Sequence, residues 1–415
     1  MTGIGLLRTM AAVAATTVMV AAGTAHATAT HASPAPDLPH VRAALQHTVN
    51  QGAPGAFAVI KEHGKPGRDR TLTVGKADLN GTPMDAGRRF RVGSNSKMFA
   101  SVLVMRLVEQ GRMDLDKPLR AYLPEGTLPA DWRITGRQVL QHRAGVYDHT
   151  DDLLEQPGEE TTSAFEKRIR NTVYDPRELV AMSVGHGLQY TPGTNYAYSN
   201  TDSVLMALAV EHLTGRPYAE LLHRQIIQPL KLRRTSFVVP GKRIAGPHVT
   251  GYLTNDDRGK PLLDSTEQTA SWVWSAGAVI SSAADLDRFL TALLAGSAGG
   301  LVSDDSLRQM TNALPTGTAK TAYGLGVREI ALSCGKVLGH GGIVQGFQTQ
   351  TYATPDGGRT VVAFANASNN SAVTQGLMDV LEPAFCGKRP ASAAHRPLTP
   401  DGSGDSVPAV EDPRI

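Results

Sequence analysis

The sequence predicts an α/β protein of the α+β kind. One antiparallel sheet is built from both ends of the chain and flanked by helices, with a mostly helical region inserted between the two halves. Three observations lead there. Short β-type runs follow a first helix, the same texture returns in the last third, and the middle carries helical periodicity instead.

At the N-terminal side, Leu38 to Gln51 places Val41, Leu45 and Val49 at helical spacing. Ala56–Lys61 and Thr71–Val74 read as strands, separated by a Gly/Pro turn from His63 to Gly67. In the middle, Ser94–Glu109, Thr201–Thr214, Tyr218–Ile227 and Ala284–Leu294 read as helices, with Gly111, Gly215 and Gly296 as stops. The strands resume at Leu325–Leu332, Lys336–Leu338, Gln348–Ala353 and Thr360–Ala365, the last two joined by a turn at Asp356-Gly357-Gly358. A final helix covers Ala372–Phe385. The α/β part thus takes in about residues 34–100 and 275–387, and the helical part about 101–274, with a cleft between them as the natural place for a site.

The 415 residues carry 41 Lys plus Arg against 38 Asp plus Glu, a net charge of +3. That balance argues against a nucleic-acid partner, which calls for a clustered basic surface. With 41% hydrophobic and 19% charged residues, the chain is not wholly disordered. Two cysteines exclude an all-cysteine zinc site or an iron–sulfur cluster, and no histidine pair has H-E-x-x-H spacing, so no metal and no cofactor are expected.

Residues 1–27 read as an export signal: Arg8, an apolar run from Met10 to Gly23, then Ala25-His26-Ala27 as a cleavage pattern. The run is short for a bilayer span, so a secreted protein without a membrane anchor is expected. Residues 388–415 are rich in Pro, Ala, Ser and Asp and read as a disordered or processed tail, leaving 28–387 as the folded domain. In an oxidising compartment Cys334 and Cys386, 52 residues apart, would pair.

Three short motifs carry chemistry. Ser94-Asn95-Ser96-Lys97 follows Gly93, which permits a tight turn into a helix. Ser94 at the helix start would have backbone N–H groups nearby, and Lys97, three residues on, shares its face. A capping serine with a surface lysine explains S-x-x-K equally well, and Ser333-Cys334-Gly335-Lys336 repeats the pattern by chance. Tyr198-Ser199-Asn200 offers a phenol whose pKa an adjacent cation would lower, making a phenolate base, and an amide to orient a substrate carbonyl. A loop tyrosine is the plain alternative. His340-Gly341-Gly342 ends a strand-like run: the glycines admit close backbone approach and the imidazole could polarise the tyrosine hydroxyl. A satisfied strand-end histidine is the alternative there.

In this order and spacing, the three motifs resemble the secreted serine D-alanyl-D-alanine carboxypeptidase/transpeptidase family, penicillin-sensitive enzymes related to class C β-lactamases. Arg91-Val92-Gly93-Ser94, His142-Arg143-Ala144-Gly145 and Ser275-Ala276-Gly277-Ala278 add to the resemblance. It implies a β-lactamase/transpeptidase-like fold with Ser94 as acylated nucleophile, Lys97 and Tyr198 as its activating pair, and His340 beside them. It further implies an oxyanion hole from the N–H groups of Ser94 and Ile343, beside Gly341 and Gly342. Asn200 would bind the substrate amide, Trp272 would line the cleft, Arg328 would take a terminal carboxylate, and Gln345 and Ser368 would lie at its edge. The implied partners are peptidoglycan stem peptides ending in D-Ala-D-Ala and, as covalent inhibitors, β-lactams, with the enzyme a monomer. Gly341 and Ile343 stand where close carboxypeptidase relatives carry hydroxyl side chains that hold the D-alanine carboxylate. A β-lactamase, an esterase or a D-amino-acid amidase on the same machinery is the alternative.

Overall fold

The computed structural model describes residues 34–155 and 157–387, together with Met1. The expected export signal, apart from Met1, and the expected tail lie outside the described residues. Among the described residues, no helix is long and apolar enough to cross a membrane.

Asp37 caps α1 (Leu38–Asn50) by accepting from the His40 N–H, and the helix buries Val41, Leu45 and Thr48. Strands β1 (Gly55–Glu62) and β2 (Arg70–Gly75) form the predicted hairpin, with Ala58 opposite Leu72. Short strands β3 (Leu314–Pro315) and β4 (Thr321–Tyr323) precede β5 (Arg328–Leu332), β6 (Gly335–Val344), β7 (Phe347–Ala353) and β8 (Arg359–Ala365). All eight make one antiparallel sheet in the order β2-β1-β8-β7-β6-β5-β4-β3. The N- and C-terminal parts of the described chain therefore meet inside the sheet, one strand in from its β2 edge, where Ala58 of β1 faces Ala363 of β8.

Both faces of the sheet are covered, which is why β7 and β8 are buried at every residue. On the outer face, Ala58, Ile60, Val361 and Ala363 pack with Val41 and Leu45 of α1 and with Val373, Leu377 and Phe385 near the C-terminal end. On the inner face, Phe57 stacks on Phe364 at 5.0 Å between ring centres, and Phe90 lies 4.4 Å from Phe364. The inner face carries α2 (Ser96–Glu109), which is buried almost all round and packs against α3 (Asn200–Thr214), itself buried through most of its length. Phe99 of α2 stacks at 3.7 Å on Phe289 of α4 (Ala283–Leu294).

Four elements differ from expectation. The strand predicted at Lys336–Leu338 runs on to Val344, because its glycines have no side-chain period to read. The strand predicted from Leu325 starts at Arg328, after Gly326 with φ +74°. The C-terminal helix is two, α5 (Ser371–Met378) and α6 (Leu381–Cys386), and the helix from Tyr218 changes to π geometry over His223–Ile227. Short helices at Gly136–Leu140 and Pro176–Gly185 were not anticipated, although each begins with a capping box, Thr135 with Gln138 and Asp175 with Glu178.

Cys334 and Cys386 form a disulfide with Cα atoms 5.4 Å apart, joining the β5–β6 turn to the end of α6. Close to it, the buried guanidinium of Arg359 donates to the carbonyls of Pro34 (2.7 Å), Ala384 (3.1 Å) and Phe385 (2.9 Å) and to Glu62 Oε1 (2.9 Å). One side chain thus ties the start of α1, β1, β8 and α6 together. Arg359→Met leaves buried Glu62 with only Lys65, 3.4 Å from its Oε2, and removes the donor shared by those carbonyls. It should lower unfolding stability by about 3–5 kcal/mol in urea titrations; a loss under about 1 kcal/mol would show that the cluster does not hold the ends.

Candidate active site

Ser94 lies in a 3₁₀ turn, Gly93–Asn95, at the head of α2. The turn is held from both sides. Phe90 and Arg91 pair with Ser281 and Ile280, and the Val92 N–H donates to Val279 O at 3.0 Å. Buried Arg91 donates to the carbonyls of Lys242, Gln268 and Thr266 at 2.6, 2.8 and 3.2 Å. Ser96 Oγ donates to Gly93 O at 2.7 Å and accepts from the Val279 N–H at 3.1 Å.

Two glycines let strand β6 lie directly against this turn. A Cβ on Gly93, whose φ is +53°, would stand 2.7 Å from the Ile343 backbone. A Cβ on Gly342 would stand 2.1 Å from Val92 O and 2.9 Å from Ser94 N. Backbone against backbone, Ser94 and Ile343 are brought side by side, as a pair of oxyanion donors requires.

Lys97 Nζ, fully buried, donates to Ser94 Oγ at 3.1 Å, Asn200 Oδ1 at 2.7 Å and Ala276 O at 3.2 Å. Burial pulls its pKa down to about 7, and Asp148 and Asp202 oppose the shift only in part. The neutral amine is thus accessible near neutral pH, 3.1 Å from the hydroxyl whose proton it would take.

Tyr198 is also at the centre: Lys97 Nζ lies 4.6 Å from its ring centre. Its expected role as a phenolate is corrected. Burial pushes the phenol well above its ordinary pKa, and the neighbouring Ser94 and Arg328 offset this only partly. The base is better sought in Lys97, with Tyr198 as a neutral phenol.

His340 is corrected in place and in partner. It sits inside β6, not at its end, and is fully buried. Its Nδ1 faces Gly341 O and so carries the proton, and its Nε2 accepts from the hydroxyl of Tyr323 at 2.7 Å. The Tyr198 ring centre is 6.3 Å from the imidazole, so Tyr323 of β4, unanticipated from sequence, is the phenol it polarises. Burial holds His340 well below the ordinary histidine pKa.

Asn200 is held within the protein: Oδ1 accepts from Lys97, and Nδ2 donates to Asp148 Oδ2 at 2.9 Å and Thr150 Oγ1 at 3.3 Å. It positions the amine, and the second lone pair of Oδ1 is what it would offer a substrate N–H. Trp272 is buried, with Nε1 3.4 Å from Gln268 Oε1. The Gln345 carbonyl accepts from Gln268 Nε2 at 2.7 Å, and fully buried Ser368 accepts the Gly346 N–H at 2.7 Å. These last two brace the turn after β6. Arg328, at the start of β5, holds its guanidinium 6.0 Å from the Tyr198 ring centre and 5.9 Å from that of Tyr323. Gly341 has its side-chain space filled by the Gln350 amide, 2.7 Å from where a Cβ would stand. Among the described residues, no group of three or more His, Cys, Asp or Glu side chains is placed to hold a metal.

The family model described as Beta-lactamase matches residues 41–381. The chain belongs to the beta-lactamase family. Among solved structures, a D-stereospecific amidohydrolase from Streptomyces sp. is 32% identical, with a TM-score of 0.75 over 85% of this chain and 100% of that one. The D-amino acid amidase from Ochrobactrum anthropi SV3, solved with L-phenylalanine amide, is 25% identical, with a TM-score of 0.69 over 83% of this chain and 97% of that one. A D-aminopeptidase of Cereibacter sphaeroides is 28% identical over 320 residues, 75% of this chain and 57% of the relative. The chain spans less than two thirds of the length of the first curated relatives it matches. The chain has the beta-lactamase fold, with Ser94 at the head of α2 as its candidate nucleophile. The relatives include D-amino acid amidases, D-aminopeptidases and a putative penicillin-binding protein of Bacillus subtilis, and do not single out D-alanyl-D-alanine carboxypeptidases.

Because the amine is charged below about pH 7 and cannot then accept a proton, acylation of Ser94 should rise with pH through that value. Lys97→Arg, charged throughout, should lose about 10²–10⁴-fold in acylation rate at every pH up to 9. A flat profile between pH 5 and 9 would remove Lys97 as the base. Gly342→Ala should displace β6 from Ser94 and slow acylation by about 100-fold, read by stopped-flow on the folded variant. A rate within threefold of wild type would show that the close approach is not needed.

Proposed function

We propose that the chain hydrolyses an amide or peptide bond next to a D-amino acid residue, through an acyl-serine intermediate. The single observation that carries the chemistry is the buried Lys97 amine, 3.1 Å from Ser94 Oγ with a pKa near 7, in a turn whose backbone lies against β6. The D-amino acid preference is supported by the named amidase and D-aminopeptidase relatives.

In this reading Ser94 Oγ attacks the carbonyl carbon and its proton passes to neutral Lys97. The negative oxygen of the tetrahedral intermediate is held by the N–H groups of Ser94 and Ile343. The proton then reaches the departing amine, by way of the neutral Tyr198 phenol, and the amine leaves. Water attacks the acyl-serine by the reverse proton path and restores the hydroxyl. β-Lactams carry an amide in a strained ring and would acylate the same serine.

A D-alanyl-D-alanine carboxypeptidase is the second reading, and Arg328 is the observation that favours it. A guanidinium beside Tyr198 suits a substrate carboxylate, which it would pair with bidentately. Against it stand Gly341 and Ile343, which bring no hydroxyl; each missing bond to a charged group is worth about 1.5–3 kcal/mol. The export signal and the disulfide support action outside the cell in either reading.

A panel of D- and L-amino acid amides, D-aminoacyl peptides and a peptidyl-D-Ala-D-Ala substrate separates them. Release of ammonia or amine from D-amides, with D-alanine release at least about tenfold slower in kcat/KM, is the expected result. The reverse order would replace the first reading with the second. Intact mass spectrometry with a β-lactam should show an adduct on wild type and none on Ser94→Ala; an adduct on both would remove Ser94 as the nucleophile.

A further inference from the structure

His142 and Asp202 are fully buried ionisable groups at the centre of the site, and the chemistry above does not use them. We propose that they form a positioning dyad for Tyr198, fixing where its phenol stands relative to Ser94 and Lys97. The inference rests on the reading of Ser94 as nucleophile and Tyr198 as proton carrier.

The geometry is specific. The residue before Tyr198 and the residue after it both donate their backbone N–H to His142. Ala197 N–H donates to the His142 carbonyl at 3.0 Å, and Ser199 N–H to its Nδ1 at 3.4 Å. The Tyr190 hydroxyl also donates to that carbonyl, at 3.3 Å. The imidazole itself packs on the Tyr198 ring, with centres 4.3 Å apart at an interplanar angle of 41°. To present carbonyl and ring to one loop, His142 takes a left-handed backbone with φ +55°, unusual for a side chain of this size.

Asp202 anchors the imidazole, its Oδ2 lying 2.8 Å from Nδ1. It sits in the first turn of α3, two residues beyond Asn200, which holds the Lys97 amine. One helix end therefore sets both the amine and, through His142, the phenol. Burial drives the imidazole well below and the carboxyl well above their ordinary pKa values, so burial disfavours the charged form of each partner. The charges facing them are Lys97, His340 and Arg328 for His142, and Asp148 and Lys97 for Asp202.

The test compares His142→Ala, His142→Asn, Asp202→Ala and Asp202→Asn in the full chain. It reads kcat and KM with the best amide of the panel and the β-lactam acylation rate of Ser94. Both alanine variants should lower kcat by about 30–100-fold with KM within about threefold, since a displaced phenol affects proton transfer and not binding. Asp202→Asn keeps a hydrogen-bonding partner for Nδ1 and should recover most of what Asp202→Ala loses. His142→Asn keeps a polar group near the Ser199 N–H without the ring and should fall between wild type and alanine. Folded alanine variants with kcat and acylation within threefold of wild type would overturn the dyad, as would equal losses in Asp202→Asn and Asp202→Ala. Should His142→Ala not fold, the two Asp202 variants decide. A wild type that acylates while the variants behave like it refutes the dyad alone. A wild type that forms no acyl-serine with any amide, ester or β-lactam refutes the nucleophile reading and the dyad with it.

Discussion

Everything in the centre of this molecule is arranged around one buried amine. Lys97 has lost its water, and removal of an ammonium from water costs several kcal/mol unless it is compensated or discharged. Compensation here is incomplete by construction. Its three acceptors are a hydroxyl, an amide oxygen and a backbone carbonyl, all neutral, and the acidic groups that favour its charge, Asp148 and Asp202, are not bonded to it. That deficit is what makes the amine a base. A carboxylate in direct contact would hold the proton, and exposure to water would restore the ordinary lysine pKa. The burial of α2 on almost every side is therefore a chemical requirement as well as a packing outcome.

The second constraint is distance between backbones. Ser94 and β6 come from opposite ends of the chain, and they touch only because Gly93 and Gly342 have no side chains to keep them apart. The close approach is stabilised from behind: Arg91 is spent on three backbone carbonyls, and the Phe90–Arg91 strand is paired to Val279–Ser281. These groups do no chemistry. They remove the freedom of a turn that must hold a hydroxyl, an N–H and an amine to within a fraction of an ångström.

Much of the fold was legible because periodicity reports burial. The helices Ser96–Glu109 and Asn200–Thr214 and the strands on either side of the Asp356 turn appear where apolar spacing placed them. Strand β6 was seen only in its first residues, since glycine carries no pattern, yet those glycines are what the site needs. At the site, Ser94 and Lys97 could be paired from spacing alone because one helical face carries both. The ionisation of Tyr198 could not, because it depends on desolvation by elements far away in sequence. The partner of His340 could not either, since Tyr323 belongs to a different strand. The orientation of Asn200 is beyond the sequence for a related reason: an amide near a reaction centre can turn either way, and only the neighbouring Asp148 and Thr150 decide which.

The long-range pairing of β1 with β8 also bears on how the molecule comes together. Gly55 N–H donates to Asn366 Oδ1 across 311 residues of chain, and the whole β1–β8 ladder spans a similar separation. Loops of that length close slowly, because their entropy is lost before any contact repays it. Until the last strand has been synthesised, the β1–β2 hairpin has an open edge where its main partner belongs, and the inner aromatic cluster lacks Phe364. The helical middle, whose contacts are more local, has no such wait. The catalytic turn lies against β6, so Ser94 gains its partner strand only when the C-terminal part of the chain is in place. A partly made chain carries Ser94 without the strand that would let it act.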